Sequence, residues 1–170
     1  MAGRFVRVSK FRHVFGTPYK KEACYDNIRI TKSPWESNMC AVNGKFLAVV
    51  LESQGGGAFL VVPLSKVGRF DLNIPKVAGH KNLVMDIAWN PFDDNEIASC
   101  SEDCTIKIWT IPDEGLNDTL VDCKRELVGH SRKCGHILWH PCATNILASN
   151  GFDNKIIIWN TASGDQLFIH

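Results

Sequence analysis

The stretch that decides the fold is Gly79–Trp109, GHKNLVMDIAWNPFDDNEIASCSEDCTIKIW, which recurs 50 positions later as Gly129–Trp159, GHSRKCGHILWHPCATNILASNGFDNKIIIW. The two stretches are identical at 12 of 31 positions without a gap, whereas chance gives about two at ordinary composition. Such self-similarity at a fixed period is typical of repeat architectures. The sequence therefore predicts a protein built from repeated units.

Each unit has the pattern of several short strands. Val84–Trp89, Glu96–Cys100 and Thr105–Ile111 contain many β-branched and aromatic residues, and turn-forming residues separate them. A fourth strand is predicted near Thr119–Leu127. Four strands in about 50 residues, with Gly-His before the first strand and Trp in the third, resemble the blade of a WD40 β-propeller.

The length of the chain sets the number of units. A weaker copy, seen in Ala41–Asn43 and Phe59–Leu64, precedes the two regular ones at an offset of 47. We therefore predict an all-β, incomplete WD40 β-propeller of about three four-stranded blades. Its predicted parts are a basic amino-terminal arm, a degenerate blade and two regular blades, at residues 1–23, 24–75, 76–125 and 126–170.

A closed propeller usually has about four to eight blades, so the remaining blades are expected outside this sequence. An open stack exposes apolar surface and unpaired strand edges. On that basis we expect the chain alone to be marginally stable or prone to self-association. Arg4–Val8 has the alternation of a strand that would close a propeller ring.

One set of polar residues occurs in both regular units. A Ser-His-Asp set suggests a hydrolase, but this one repeats at the period of the blades and lacks the GxSxG turn that exposes a nucleophile. In WD40 proteins Asp, His, Ser and Trp form a buried hydrogen-bonded chain, which satisfies polar groups and fixes strand register. We therefore predict two structural tetrads and no enzymatic activity, the members being His80, Ser99, Asp103 and Trp109, and His130, Ser149, Asp153 and Trp159.

A second cluster has the residue types of a zinc site. Cys134, His136, His140 and Cys142 would share one face of a strand. However, eight steps of extended chain span about 26 Å, whereas zinc ligands lie roughly 2.0–2.3 Å from the metal. The sequence therefore predicts neither a metal nor a cofactor.

Charge and cysteine content bear on compartment and partners. Residues 1–32 carry eight basic side chains against two acidic ones, a net charge of +6, and the rest carry 11 against 16, a net charge of −5. Seven cysteines without a CxxC pair favour a reduced, cytoplasmic protein. A basic arm suits an acidic partner, and without an RNA-binding signature we predict no nucleic-acid partner.

Several segments together resemble the coronins, a family of cytoskeletal WD-repeat proteins. The most specific is the opening Val8–Gly16, VSKFRHVFG, because it is not a general WD40 pattern. The resemblance runs through the whole chain in order, and its other carriers are Cys24–Ile30, Cys40–Asn43, Gly55–Leu60 and Ala98–Thr105.

This resemblance implies a seven-bladed propeller that binds filamentous actin at the cell cortex and regulates filament turnover. It also implies contacts of the full-length protein with the actin-nucleating complex and cofilin, and a carboxy-terminal coiled coil. In the family, a basic residue after the Cys-Tyr-acidic segment is implicated in actin binding, and the matching residue here is Arg29. Lys20, Lys21 and Lys32 are candidates by charge, and Arg12 belongs to the opening motif. The alternative function is a general WD40 scaffold whose basic arm binds anionic phosphoinositide membranes.

Overall fold

The computed structural model describes residues 16–33, 35–52 and 57–170. Its core consists of three four-stranded antiparallel sheets that follow one another along the chain. The fold prediction is therefore confirmed. The proposed closing strand Arg4–Val8 and the candidate Arg12 lie outside the described residues.

The first sheet forms mainly from the degenerate unit, and its four strands are hydrogen-bonded in the order in which they occur along the chain. Its strands are β2 Cys40–Val42, β3 Phe46–Val50, β4 Gly57–Pro63 and β6 Val77–His80. Before it come β1 (Tyr25–Asp26) and the short 3₁₀ helix Lys21–Ala23. Strand β1 pairs in parallel with β5 (Gly68–Arg69), so the amino-terminal segment is attached to the loop between β4 and β6.

The two regular units form the second and third sheets, each in simple up-and-down order. The second sheet contains β7 Val84–Trp89, β8 Glu96–Ser101, β9 Thr105–Thr110 and β10 Arg125–Val128. The third contains β11 Cys134–Trp139, β12 Ile146–Gly151, β13 Ile156–Asn160 and β14 Gln166–Ile169.

Side-chain alternation along the strands explains the stacking of the sheets. In β9, Ile106 and Ile108 point into the cluster shared with the third sheet, while Trp109 points into the cluster shared with the first. Successive residues of a strand face opposite sides, so a central blade buries both faces. In the third sheet, by contrast, β14 leaves all four of its side chains exposed, including Leu167 and Phe168.

The strand limits differ from the prediction in one place. The fourth strand of the second sheet is confined to Arg125–Val128, because Leu120, which the prediction included, pairs with another sheet. Leu120 forms a parallel bridge with Val77 at the outer edge of the first sheet, and its side chain packs into the core between the first two sheets. Leu120 therefore joins the first sheet and does not extend the fourth strand of the second sheet.

The repeat unit and the sheet are out of phase. Gly79 and His80 open a repeat unit in the sequence, but they end β6, the outer strand of the first sheet. Gly129 and His130 likewise follow directly on β10, the outer strand of the second sheet. Each unit therefore spans two neighbouring sheets and connects them.

A strap of three residues, Trp35–Ser37, crosses from the first unit to the second and third sheets. The Trp35 indole N–H donates to the Gly135 carbonyl at 3.0 Å, and the His136 Nε2–H donates to the Glu36 carbonyl at 2.8 Å. The Ser37 hydroxyl donates to Asp86 at 2.9 Å. The strap therefore joins segments about 100 residues apart.

Candidate functional site

The first predicted tetrad is a continuous hydrogen-bonded chain between two sheets. His80 Nδ1 lies 2.9 Å from an Asp103 carboxylate oxygen, and His80 Nε2 lies 2.8 Å from the Ser99 hydroxyl. The Trp109 indole N–H donates to the same hydroxyl at 2.8 Å. A neutral His80 satisfies every group, because Trp109 donates to Ser99, Ser99 to His80, and His80 to Asp103.

The second tetrad repeats this geometry. His130 Nδ1 lies 3.0 Å from Asp153, His130 Nε2 lies 2.8 Å from the Ser149 hydroxyl, and the Trp159 indole N–H donates to Ser149 at 2.8 Å. The structure thus brings together all four residues of each predicted set.

Burial determines what the tetrads can do. The Ser99 side chain is fully buried and Ser149 is 2% exposed. Each serine oxygen already accepts an indole N–H. Each serine also lies in an inner strand of its sheet, between two neighbouring strands. A nucleophile must meet its substrate, so this arrangement supports a structural function: it fixes the outer strand of one sheet to the next.

The Asp103 carboxylate is the charged end of the first tetrad. It accepts hydrogen bonds from Thr105 Oγ1 at 2.7 Å and from the backbone N–H of Lys81 at 2.9 Å, besides the one from His80. Burial raises the pKa of Asp103, but the hydrogen bond and attraction to His80, with those from Thr105 and Lys81, outweigh burial and hold it well below its usual range.

This shift predicts a pH-dependent stability. The pKa of Asp103 is lower in the folded chain than the usual value of about 3.9, so its ionised form stabilises the fold above that pH. That contribution is lost as the pH falls toward the folded-state pKa. We expect Asp103→Asn to lower the free energy of unfolding at pH 7 and to flatten its decline between about pH 5 and pH 3. Urea titrations across this range test it, with the exposed Asp118→Asn as control; equal slopes for parent and Asp103→Asn would contradict it.

The basic candidates lie on the amino-terminal segment. Lys20 and Lys21 are exposed at the 3₁₀ helix, and Arg29 is exposed beside the first sheet. The backbone at Arg29 is held in place, because the Glu52 N–H donates to the Arg29 carbonyl at 2.9 Å. Lys32 lies 3.2 Å from Glu52 in an exposed salt bridge. The Arg29 guanidinium forms no hydrogen bond or salt bridge with any other residue that the structure describes.

A depression beside Arg29 contains two basic residues that the sequence did not single out. Arg29 and Lys76 line one cavity of about 130 Å³, and Arg69 lines the adjoining one. Asn27 lines both and donates to the Phe70 carbonyl at 2.7 Å, which holds the two chain segments together. Arg69 and Lys76 lie 40 and 47 residues from Arg29 in the sequence. The pairing of β1 with β5 and the hydrogen bond from Asn27 to Phe70 bring the two segments together.

The structure does not bring together the four residues that have the types of a zinc site. Cys134 is fully buried, His136 donates to Glu36, and His140 Nδ1 accepts from the backbone N–H of Cys142 at 3.1 Å. Within residues 16–33, 35–52 and 57–170, no three His, Cys, Asp or Glu side chains are grouped to hold a metal ion. The same ranges contain no helix long and apolar enough to cross a membrane.

Comparison with known proteins agrees with this architecture. Residues 4–69 match a family described as a domain of unknown function, DUF1899. Residues 73–110 and 121–160 match the WD domain, G-beta repeat. The crystal structure of the WD40 domain from Toxoplasma gondii coronin superposes with a TM-score of 0.81 at 28% identity, over 86% of this chain and 37% of that one.

Curated relatives show a similarity to the same family. Coronin-2A of Bos taurus is 55% identical over 163 residues, which is 96% of this chain and 31% of the relative. A coronin-like protein of Saccharomyces cerevisiae is 43% identical over 176 residues, which is 98% of this chain and 27% of the relative. The chain thus spans less than a third of the length of these curated relatives. Its stacked four-stranded sheets, its WD repeats and these similarities together show that the chain belongs to the coronin family of WD-repeat proteins.

Proposed function

We propose that this chain is a non-enzymatic actin-filament-binding module of a coronin-like protein, acting in the organisation and turnover of the cortical actin cytoskeleton. Membership of the coronin family supports the proposal, together with the resemblance of Cys24–Ile30 to the family's actin-binding segment. Contacts with the actin-nucleating complex and cofilin belong to the same proposal and involve the full-length protein.

The observation that carries the proposal is the state of Arg29. Its side chain is exposed, its backbone is held by Glu52, and its guanidinium is unpaired with respect to every described residue. A guanidinium in this state is available to an acidic partner without first breaking a salt bridge. Lys32 is a weaker candidate, because it already pairs with Glu52.

The test is cosedimentation of the chain with actin filaments at increasing salt. We expect Arg29→Asp to weaken binding about tenfold or more, because it replaces an attraction to the acidic filament by a repulsion. The matched control is Lys155→Asp, which makes the same charge change at an exposed lysine of the third sheet. Unchanged binding by a folded Arg29→Asp variant would remove Arg29 from the site.

The same variants separate this function from the alternative. A scaffold that meets membranes through its basic arm would bind vesicles containing phosphatidylinositol bisphosphate and would leave actin filaments in the supernatant. That result would replace the actin proposal by the membrane one. Binding to actin that falls as salt rises and depends on Arg29 would support the actin proposal.

A further inference from the structure

Two buried cysteines meet between the second and third sheets. Cys100 lies in β8 and Cys134 begins β11, and both side chains are fully buried in one hydrophobic cluster. The Cys100 Sγ lies 3.6 Å from the Cys134 carbonyl oxygen, and the Cys134 Sγ lies 3.3 Å from the Asn150 carbonyl oxygen. Both are free thiols.

The surroundings of the two sulfurs are different. The neighbouring Cys100 thiol lowers the pKa of Cys134, burial opposes this, and His130 lowers it further, so the net pKa lies below that of an ordinary thiol. Burial, followed by the neighbouring Cys134 thiol, raises the pKa of Cys100 well above its usual value. A thiol with a lowered pKa reacts more readily as a thiolate, so Cys134 is the better attacking sulfur of the two.

His130 connects this pair to the second tetrad. Burial lowers the pKa of His130, but the neighbouring Cys134 and Asp153 side chains outweigh burial and raise it. An imidazole that is more readily protonated stabilises a neighbouring thiolate. His130 thus belongs to the second tetrad and also lowers the pKa of Cys134.

The repeat itself does not require either cysteine. The position that matches Cys134 in the preceding unit is Val84, and the position that matches Cys100 in the following unit is Asn150. Val84 is buried in the core between the first and second sheets, so an apolar side chain fills this position there. The thiol pair is therefore particular to this junction and is not a feature of the repeat.

We propose that Cys100 and Cys134 are an oxidation-sensitive dithiol, which peroxide converts into a disulfide that joins the second and third sheets. The Cys134 thiolate attacks one peroxide oxygen, the O–O bond breaks, and Cys134 becomes a sulfenic acid while hydroxide takes up a proton to form water. The Cys100 sulfur then attacks the Cys134 sulfur, loses its proton and displaces a second water. Two thiols and one hydrogen peroxide thus give one disulfide and two waters.

Because both side chains are fully buried, peroxide reaches them when the two sheets separate locally. Reaction at this pair therefore depends on its chemistry and on this opening, whereas Cys40 and Cys142 are exposed and react without opening. This contrast separates the proposal from indiscriminate oxidation.

The test treats the 170-residue chain with hydrogen peroxide at neutral pH, blocks remaining thiols with an alkylating agent and maps the peptides by mass spectrometry. We expect a cross-linked peptide pair containing Cys100 and Cys134, reversed by a reducing agent, and a higher urea midpoint in the oxidised protein. Cys134→Val, which takes the residue of the matching position, should abolish the cross-link and the midpoint change. Cys142→Ser, the control, should retain both.

Circular dichroism of Cys134→Val checks that the variant is folded, and Cys100→Ala provides a second variant that lacks one sulfur. Two results would overturn the proposal. One is oxidation of Cys40 and Cys142 while Cys100 and Cys134 stay reduced in the folded chain. The other is a sulfinic acid at Cys134 with no cross-link. Neither result bears on actin binding, so this proposal and the proposed function fail independently.

Discussion

Replacing Trp109 by alanine should lower the free energy of unfolding by about 3–5 kcal/mol, the range seen when a buried aromatic side chain is truncated. Trp109 is fully buried between the first and second sheets, where its ring packs edge-on against Phe59 at a centroid distance of 6.2 Å. Its indole N–H also donates to Ser99 at 2.8 Å. The substitution therefore opens a cavity and leaves the tetrad without its first donor.

Trp109→Phe separates these two effects. The ring is mostly retained and the N–H is lost, so we expect a cost of about 1–3 kcal/mol for the unsatisfied Ser99 hydroxyl and the smaller ring. Urea unfolding followed by far-UV circular dichroism measures both variants without relying on tryptophan fluorescence. A loss below about 1 kcal/mol for Trp109→Ala would show that the junction of the two sheets does not depend on this ring.

The second large effect concerns the glycine before each tetrad histidine. A Cβ atom on Gly79 would lie 2.4 Å from the Val121 carbonyl oxygen and 2.6 Å from the Trp109 ring. A Cβ on Gly129 would meet the Gln166 side-chain nitrogen at 2.3 Å and the Trp159 ring at 2.7 Å. The glycine is therefore needed because the indole of the next sheet packs directly on its backbone.

We expect Gly79→Ala to cost about 2–3 kcal/mol, near the upper end for overpacking, because a backbone carbonyl and a fully buried ring must both move. Gly129→Ala should cost less, since the flexible end of Gln166 can turn away. Thermal or urea unfolding of the two alanine variants side by side tests this order. Equal losses, or a larger loss for Gly129→Ala, would contradict the steric explanation.

The repeat made much of this architecture predictable. Trp89 and Trp139 recur at the same spacing as the tetrad residues, and each lies in the first strand of its sheet. A periodic pattern of apolar side chains and turn residues predicts where strands lie, because alternation and turn chemistry are local properties of the sequence. The four members of each tetrad were also predicted, because the same set occurs twice at the period of the repeat and the resemblance to WD40 blades implies a buried hydrogen-bonded chain.

Features outside the repeat were less predictable. The fourth strand of the second sheet is shorter than predicted, because Leu120 pairs with Val77 of another sheet. The basic surface near Arg29 was foreseen only from residues close to it in sequence. Arg69 and Lys76 were missed, because the two segments meet through a pairing of two-residue strands and one side-chain hydrogen bond, and neither can be recognised in a sequence.

The sequence by itself determined the all-β class, the number of four-stranded units and the members of the two tetrads, because each depends on residues within one period and its neighbour. Only the tertiary structure decided how separate segments meet: the strap from Trp35 to Gly135, the depression beside Arg29, and the contact between Cys100 and Cys134. Those contacts join positions that the repeat does not relate. They follow from the stacking of one sheet on the next, which brings together side chains that no sequence period places side by side.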